Sequence, residues 1–381
     1  MSRAQRSPGM DRRSWLKTAG TTALGLAATA ACGGTDPWER FAGSPEPRRH
    51  IARVLVSPTR VIRSIAGLRP FRPSGFVVRA ERRDSKLLVH HYGHGGGGIT
   101  LSWGTAQLAL EEAQPTGLRT AAVLGAGAVG LATARLLQRH GWLVTIYARE
   151  LPPDTTSNLA GGVWAPYSVF DEERLTPEFE ARYVRAARIA YQAFQQLAGA
   201  RYGVRWLESY RLHDLPLPRT RLGDELRDLF PDSRELAPKE HPFPAAHVLR
   251  SMGMLVEPFT YMNAVLQDFL LAGGRVVVRE FVAAEEVMAL AEPVVVNCTG
   301  LGAKALFGDD ELIPIKGQLC VLVPQPEVDY VVSTADGLYM MPRQDGIVLG
   351  GTHERGVWDL AVSQAATERI LAGNARLFGP A

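Results

Sequence analysis

From Ile51 onward, apolar residues fall in short runs separated by turn residues, and the period within each run decides what it can form. Runs at 76–80 and 87–91 are short, apolar and bounded by Gly, Pro or charged residues, which predicts strands. A helix is predicted over 103–113. The stretch 120–148 holds the clearest unit: a strand at 120–124, a helix at 128–140 and a second strand at 143–148, together one βαβ arrangement. A long helix follows at 177–198, while 201–254 is rich in Pro and charge and has no readable period. Beyond it come a helix at 261–272, strands at 275–281 and 294–297, and four strands at 318–324, 330–333, 338–341 and 346–349. These predict a mostly antiparallel sheet, closed by a helix at 364–377. A βαβ unit followed by such a run predicts a mixed α/β (α+β) chain of two interleaved domains.

The N-terminal stretch follows different rules. Asp11-Arg12-Arg13-Ser14-Trp15-Leu16-Lys17 precedes an apolar, small-residue run at 18–31, which is short of the ~20 residues a membrane span needs. The segment resembles a twin-arginine export signal. Thr29-Ala30-Ala31-Cys32 is similar to a bacterial lipoprotein cleavage box, with Thr29 where Leu is usual, so Cys32 is a candidate lipid anchor. The expectation is an exported protein, periplasmic or membrane-anchored, with a signal over 1–32, a linker over 33–50 and the folded unit over 51–381.

Composition and charge then narrow the classes. An apolar share of 46% with 21% charged residues excludes a disordered or fibrous chain. The formal charge of +3 is carried by the signal, whose five basic residues and one acid leave −1 when removed. Nucleic-acid binding therefore loses its electrostatic motive. Of three cysteines, only Cys298 and Cys320 lie beyond the signal, each among apolar residues, so neither a metal cluster nor a disulfide framework is expected.

The candidate chemistry begins at Gly125-Ala126-Gly127-Ala128-Val129-Gly130, between the first strand and the helix of the βαβ unit. There the first glycine permits the turn, the second lets backbone approach a pyrophosphate, and the third allows close helix packing, with the helix N-terminus facing the phosphates. This is a dinucleotide site that does not separate FAD from NAD. The acidic residue expected at the end of the second strand is displaced: Arg149 follows Ala148, and Glu150 is the candidate for the ribose. Val294-Val295-Val296-Asn297-Cys298-Thr299-Gly300 is a buried strand ending in small polar residues, as expected where a strand's carboxyl end meets a dinucleotide. Thr299 there, and Phe281 at the end of the preceding strand, join the cofactor candidates.

The segment Thr155-Thr156-Ser157-Asn158-Leu159-Ala160-Gly161-Gly162-Val163-Trp164-Ala165-Pro166-Tyr167 resembles the one that follows the second strand in D-amino-acid oxidases. Two more segments resemble that family but stand ahead of the glycine motif: Gly67-Leu68-Arg69-Pro70-Phe71-Arg72-Pro73, and His91-Tyr92-Gly93-His94-Gly95-Gly96-Gly97-Gly98-Ile99-Thr100-Leu101-Ser102-Trp103-Gly104. In the family both lie near the C-terminus, so a circular permutation is expected. Such a change is acceptable where old termini lie close and new ones fall in an exposed connection.

The resemblance implies a Rossmann-like FAD-binding domain, about 55–170 and 275–310, interleaved with a substrate domain, about 171–274 and 311–370. It implies FAD as cofactor, with Thr155, Thr156, Ser157, Gly161, Gly162 and Val163 in its cradle and Gly95, Gly96, Gly97, Gly98, Ile99 and Thr100 along the flavin edge. It also implies Arg69 as the clamp on a substrate carboxylate, Tyr339 as a further hydrogen bond to it, and the Gly96 carbonyl as acceptor for the substrate amine. Arg72 fits a structural salt bridge better, and His94 fits a satisfied loop histidine. The implied activity is oxidation of a small D-amino acid with oxygen as acceptor. A flavin dehydrogenase passing electrons from D-amino acids or other amines to a membrane quinone, and a flavin-binding lipoprotein without turnover, remain open.

Overall fold

The computed structural model describes residues 51–216 and 219–379, so the export signal, the lipoprotein box and the linker over 33–50 lie outside the described residues. In chain order, β1 (Val61–Phe71), β2 (Val77–Arg83) and β3 (Lys86–Tyr92) lead into α1 (Gly98–Ala113). Then come β4 (Thr120–Leu124), α2 (Ala128–Arg139), β5 (Leu143–Ala148), α3 (Pro177–Gln196) and β6 (Val204–His213). A short α4 (Arg221–Glu225) precedes β7 (Arg234–Leu236), β8 (His247–Val256), α5 (Pro258–Leu271), β9 (Arg275–Val278), α6 (Ala284–Met288), β10 (Val294–Asn297) and α7 (Gly302–Phe307). Last are β11 (Ile313–Leu322), β12 (Tyr330–Thr334), β13 (Tyr339–Arg343), β14 (Gly346–Gly350), β15 (Glu354–Arg355) and α8 (Gln364–Phe378).

Two sheets organise these elements, as the mixed α/β expectation requires. A six-stranded sheet runs β2-β3-β10-β4-β5-β9, parallel throughout except for the antiparallel edge strand β2. Its central strands are covered on both faces, which is why β10 reads as an unbroken valine run rather than an alternation. On one face α1, α2, α3 and α5 form the largest core, around Trp103, Leu131, Phe194 and Tyr261. The nine-stranded sheet runs β1-β11-β14-β13-β12-β6-β8-β7, with β15 on β11. Its pairs are antiparallel except β12 with β6. A second core, with Tyr210, Tyr330, Ile370 and Phe378, fills the face toward α8.

Several elements depart from the sequence expectation; β9 ends at Val278 rather than at 281, leaving Phe281 beyond it, and β11 begins at Ile313 rather than at 318. α1 starts at Gly98 instead of residue 103, because the glycine run that reads as a loop forms a 3-10 turn at Gly95–Gly97 leading directly into the helix. β1 was not anticipated, since Gly67 and Pro70 break its apolar pattern; a ladder to β11 from Val61↔Leu322 to Phe71↔Ile313 holds it extended. It thereby belongs to the larger sheet, although it lies within 55–170. β6 and β8 occupy the stretch with no readable period. On β6, Tyr210 and Leu212 face the core while Leu207, Ser209, Arg211 and His213 face a cleft, so burial on both sides hides the alternation.

Candidate active site

The glycine motif forms the turn that sequence logic requires. Gly125 has φ 100°, and a Cβ there would stand 2.6 Å from the Cys298 carbonyl oxygen. A Cβ on Gly130 would stand 2.1 Å from the Gly125 carbonyl oxygen, so helix and turn meet backbone to backbone. Gly127, at the N-cap of α2, makes no side-chain cap of its own, and the Ala128 amide donates to Ser157 Oγ at 3.0 Å. The 155–163 segment is thus fastened to the helix N-terminus. Thr155 Oγ1 donates to the buried Asn158 Oδ1 at 2.8 Å, and Gly162 adopts φ 103° with its would-be Cβ 2.4 Å from the Val256 oxygen. Val163 bridges to Leu255, which ties the segment to β8.

At the rim, Arg149 pairs with Glu150 and with Glu280, each at 3.1 Å, and all three border the same cleft as Phe281, whose ring lies under Arg279. The Thr299 amide and hydroxyl both donate to Asn297 Oδ1, at 3.2 and 2.7 Å, closing the turn after β10 against the glycine motif.

The cleft, of about 2340 Å³, runs from this cradle to the inner face of the large sheet, room for a dinucleotide and a substrate together. Gly95 has φ 54°, and a Cβ on it would stand 2.2 Å from the Ser168 oxygen, which also accepts the Gly96 amide at 2.9 Å. Gly98 is different: a Cβ there would meet nothing within 4 Å, because it borders the open cleft. The Thr100 hydroxyl donates to the Ala165 carbonyl and accepts from its amide, each at 3.2 Å, and Trp164 Nε1 donates to the Thr100 carbonyl at 3.1 Å. The two glycine-rich segments are therefore locked together.

Arg69 and Tyr339 meet across the cleft's far end. Arg69 makes no ion pair among the described residues; it donates to the Thr352 carbonyl at 3.3 Å. Its guanidinium lies on Gly317, where a Cβ would stand 2.5 Å from a terminal nitrogen. The Tyr339 hydroxyl hydrogen-bonds with Arg69, whose charge partly offsets the rise in pKa caused by burial. Its ring lies on Gly350 and Gly351, where a Cβ would stand 2.0 Å and 2.5 Å from ring atoms. Arg72, by contrast, is tied down by Asp309 at 2.9 Å and Glu311 at 2.5 Å.

The family model for FAD dependent oxidoreductases (DAO) matches residues 14–112 and 120–381. The chain belongs to this family. Similar curated proteins include the D-amino-acid oxidase of Rubrobacter xylanophilus, 34% identical over 257 residues, which covers 66% of this chain and 74% of the relative. The D-amino-acid oxidase of Streptomyces coelicolor is 31% identical, covering 68% and 78%. The glycine oxidase of Geobacillus kaustophilus shares the fold, with a TM-score of 0.52 at 19% identity, covering 68% of this chain and 79% of that one.

FAD is the cofactor of this FAD-dependent oxidoreductase. The cleft suits it: the turn at Gly125 and Gly130 leaves no space for a side chain, while the α2 N-terminus supplies amides and positive dipole for a pyrophosphate. His94 is buried, shares a hydrogen bond with Thr105 Oγ1 at 2.9 Å, and is held neutral by burial, which lowers its pKa to about 3. Several residues that support the cleft escaped the sequence reading. Gly317, Gly350 and Gly351 seat the Arg69 and Tyr339 side chains, and nothing in a strand sequence marks a glycine as a seat for a distant ring. Arg343, 3% exposed, donates to the Ala160 carbonyl at 2.7 Å and fixes the cradle from β13.

Proposed function

We propose that the protein catalyses oxidative deamination of a small D-amino acid to a keto acid and ammonia, with oxygen reduced to hydrogen peroxide. The observation that carries this reading is Arg69, a guanidinium with no carboxylate partner among the described residues, facing a flavin-sized cleft beside the Tyr339 hydroxyl. When bound, FAD supplies the two-electron acceptor for the α-carbon hydride and the route of those electrons to oxygen. Arg69 holds the substrate carboxylate by charge-assisted hydrogen bonds, Tyr339 adds a neutral one, and the Gly96 carbonyl receives the amine. Gly125, Gly127, Ala128, Val129 and Gly130 hold the pyrophosphate, and Glu150 the ribose. Thr155, Thr156, Ser157, Gly161, Gly162, Val163, Thr299 and the 95–100 loop line the rest of the cofactor. His94 stays neutral and engaged with Thr105, so it is not the base at the α-carbon; a hydride transfer from the neutral amine needs none, and the residues named supply orientation.

The test is to mix the FAD-loaded protein without oxygen with paired D- and L-amino acids and follow the flavin's visible band. Bleaching by D-isomers alone is expected, with peroxide formed when oxygen is readmitted. Bleaching by L-isomers, or by none, would overturn the reading; bleaching without peroxide would favour a quinone as acceptor.

We also propose that the chain is a circular permutant. In support, β3 lies between β2 and β10 in the cofactor sheet, and α1 runs into β4 through a single turn at Gln114–Thr116 and Gly117 with φ 71°. Ala52, Val54 and Val56 share a core with Phe378. Aligning a family sequence in two blocks, its C-terminal part onto residues 55–112 and its remainder onto 120–379, checks this. Export by the twin-arginine route, with lipidation at Cys32, remains our proposal from sequence. Cell fractionation should find the Arg12→Lys, Arg13→Lys variant retained inside.

A further inference from the structure

The inner face of the large sheet carries a second cation. Neighbouring strands put Tyr339 of β13, Ser333 of β12, Arg211 of β6 and Leu249 of β8 in one cross-strand row, through the pairs Ser333↔Tyr339, Ser333↔Arg211 and Arg211↔Leu249. Residues paired in this way share a face, and all four border the cleft. With strands about 4.8 Å apart, the Cα atoms of Arg211 and Tyr339 stand ~10 Å from each other. That is within reach of a short substrate spanning the two side chains.

Arg211 lacks the partner that a half-buried guanidinium ordinarily has. Among the described residues it makes no ion pair; its guanidinium carbon lies 4.7 Å from the centroid of the Tyr167 ring. A cation held over a ring face in this way keeps its N–H groups available to an anion. The neighbours on the facing strands are not acidic: Leu207, Ser209 and His213 flank it on β6, Leu249, Ser251 and Gly253 on β8, and Val331 and Ser333 on β12. The carboxylate that continues the row, Glu235 of β7 opposite Leu249, is engaged by His247 at 2.5 Å, and Asp336 borders the cleft beyond β12. Burial lowers the pKa of Arg211 itself and, together with the Arg211 charge, that of His213. A desolvated cation without a counter-charge is costly, and an anion arriving in the cleft removes that cost.

We propose that Arg211 binds an anionic group on the substrate side chain, so that the preferred substrate is a dicarboxylic amino acid held between Arg69–Tyr339 and Arg211. This rests on the reading of the cleft as an amino-acid oxidase site. The α-carboxylate is held by Arg69, while the distal carboxylate accepts from the Arg211 fork, with Ser209 and Ser333 as neighbouring hydroxyls. Arg211 is then a specificity residue rather than a participant in the redox step.

The test compares each acid with its near-isosteric amide, D-glutamate with D-glutamine and D-aspartate with D-asparagine, in the full-length FAD-loaded protein. The quantity read is kcat/KM for flavin reduction. A charge-assisted hydrogen bond in a partly desolvated site predicts an acid-over-amide ratio of about 10- to 100-fold. In Arg211→Met that ratio should fall toward one, and Arg211→Lys should restore part of it. Two outcomes overturn the inference: a ratio at or below one in the parent protein, or a ratio that Arg211→Met leaves unchanged. If only neutral D-amino acids reduce the flavin, the dicarboxylate assignment falls while the oxidase reading stands. If no amino acid reduces it, both fall.

Discussion

Replacing Arg69 by alanine is expected to lower kcat/KM for the substrate amino acid by about 30- to several-thousand-fold, the equivalent of roughly 2–5 kcal/mol, while the flavin stays bound. The magnitude follows from what the side chain touches. Arg69 spends no ion pair on the protein among the described residues, and it lies flat on Gly317, so its fork is presented to the cleft already ordered. A preordered guanidinium loses little further freedom on meeting a carboxylate. Its removal leaves Tyr339 as the neutral hydrogen-bond donor of that pair, and a substrate carboxylate entering a half-dry pocket against one phenol loses most of what it gave up in water. Steady-state kinetics beside a visible spectrum separate the two effects. A variant that keeps parental turnover with flavin bound would remove Arg69 from the carboxylate site.

Gly130→Val is expected to yield protein purified without flavin, with FAD affinity weakened at least ~100-fold. The cause is backbone contact: the new Cβ would stand 2.1 Å from the Gly125 carbonyl oxygen and 3.5 Å from Cys298 Cβ. Neither the turn nor β10 has a flexible side chain at that point to yield, so α2 must move away from the glycine turn. Such a shift moves the α2 N-terminus, with its amides, out of line with the pyrophosphate it faces. Far-UV circular dichroism with a titration of added FAD distinguishes a displaced helix from a chain that fails to fold. Parental flavin content in the purified variant would show that the turn tolerates the displacement, against the close packing seen.

How much of this was readable in advance varies element by element. The unit from β4 through α2 to β5 follows its sequence within a residue, because each piece is fixed by local rules: a strand buried on both faces, a glycine turn, a helix with small residues toward the sheet. The same holds for β10, whose valines announce burial. α1 is intermediate. Its buried face was legible from Trp103 onward, but it begins at Gly98, directly after a 3-10 turn at Gly95–Gly97 that packs against Ser168 and Val169, and local propensity assigns such a glycine run to a loop.

By itself, the sequence determined the two kinds of sheet, the nucleotide turn and its helix, and the identity of the groups able to do the chemistry. These depend on periodicity and backbone conformation, which act over a few residues. Only the tertiary structure decided that β1 pairs with β11 in the larger sheet, that Gly317, Gly350 and Gly351 make room for Arg69 and Tyr339, and that Arg211, without an ion pair among the described residues, stands in the same row as Tyr339. Those facts depend on which distant strands meet, and the pairing of distant strands is set by closure of the whole sheet over its core, a condition that no local window of sequence contains.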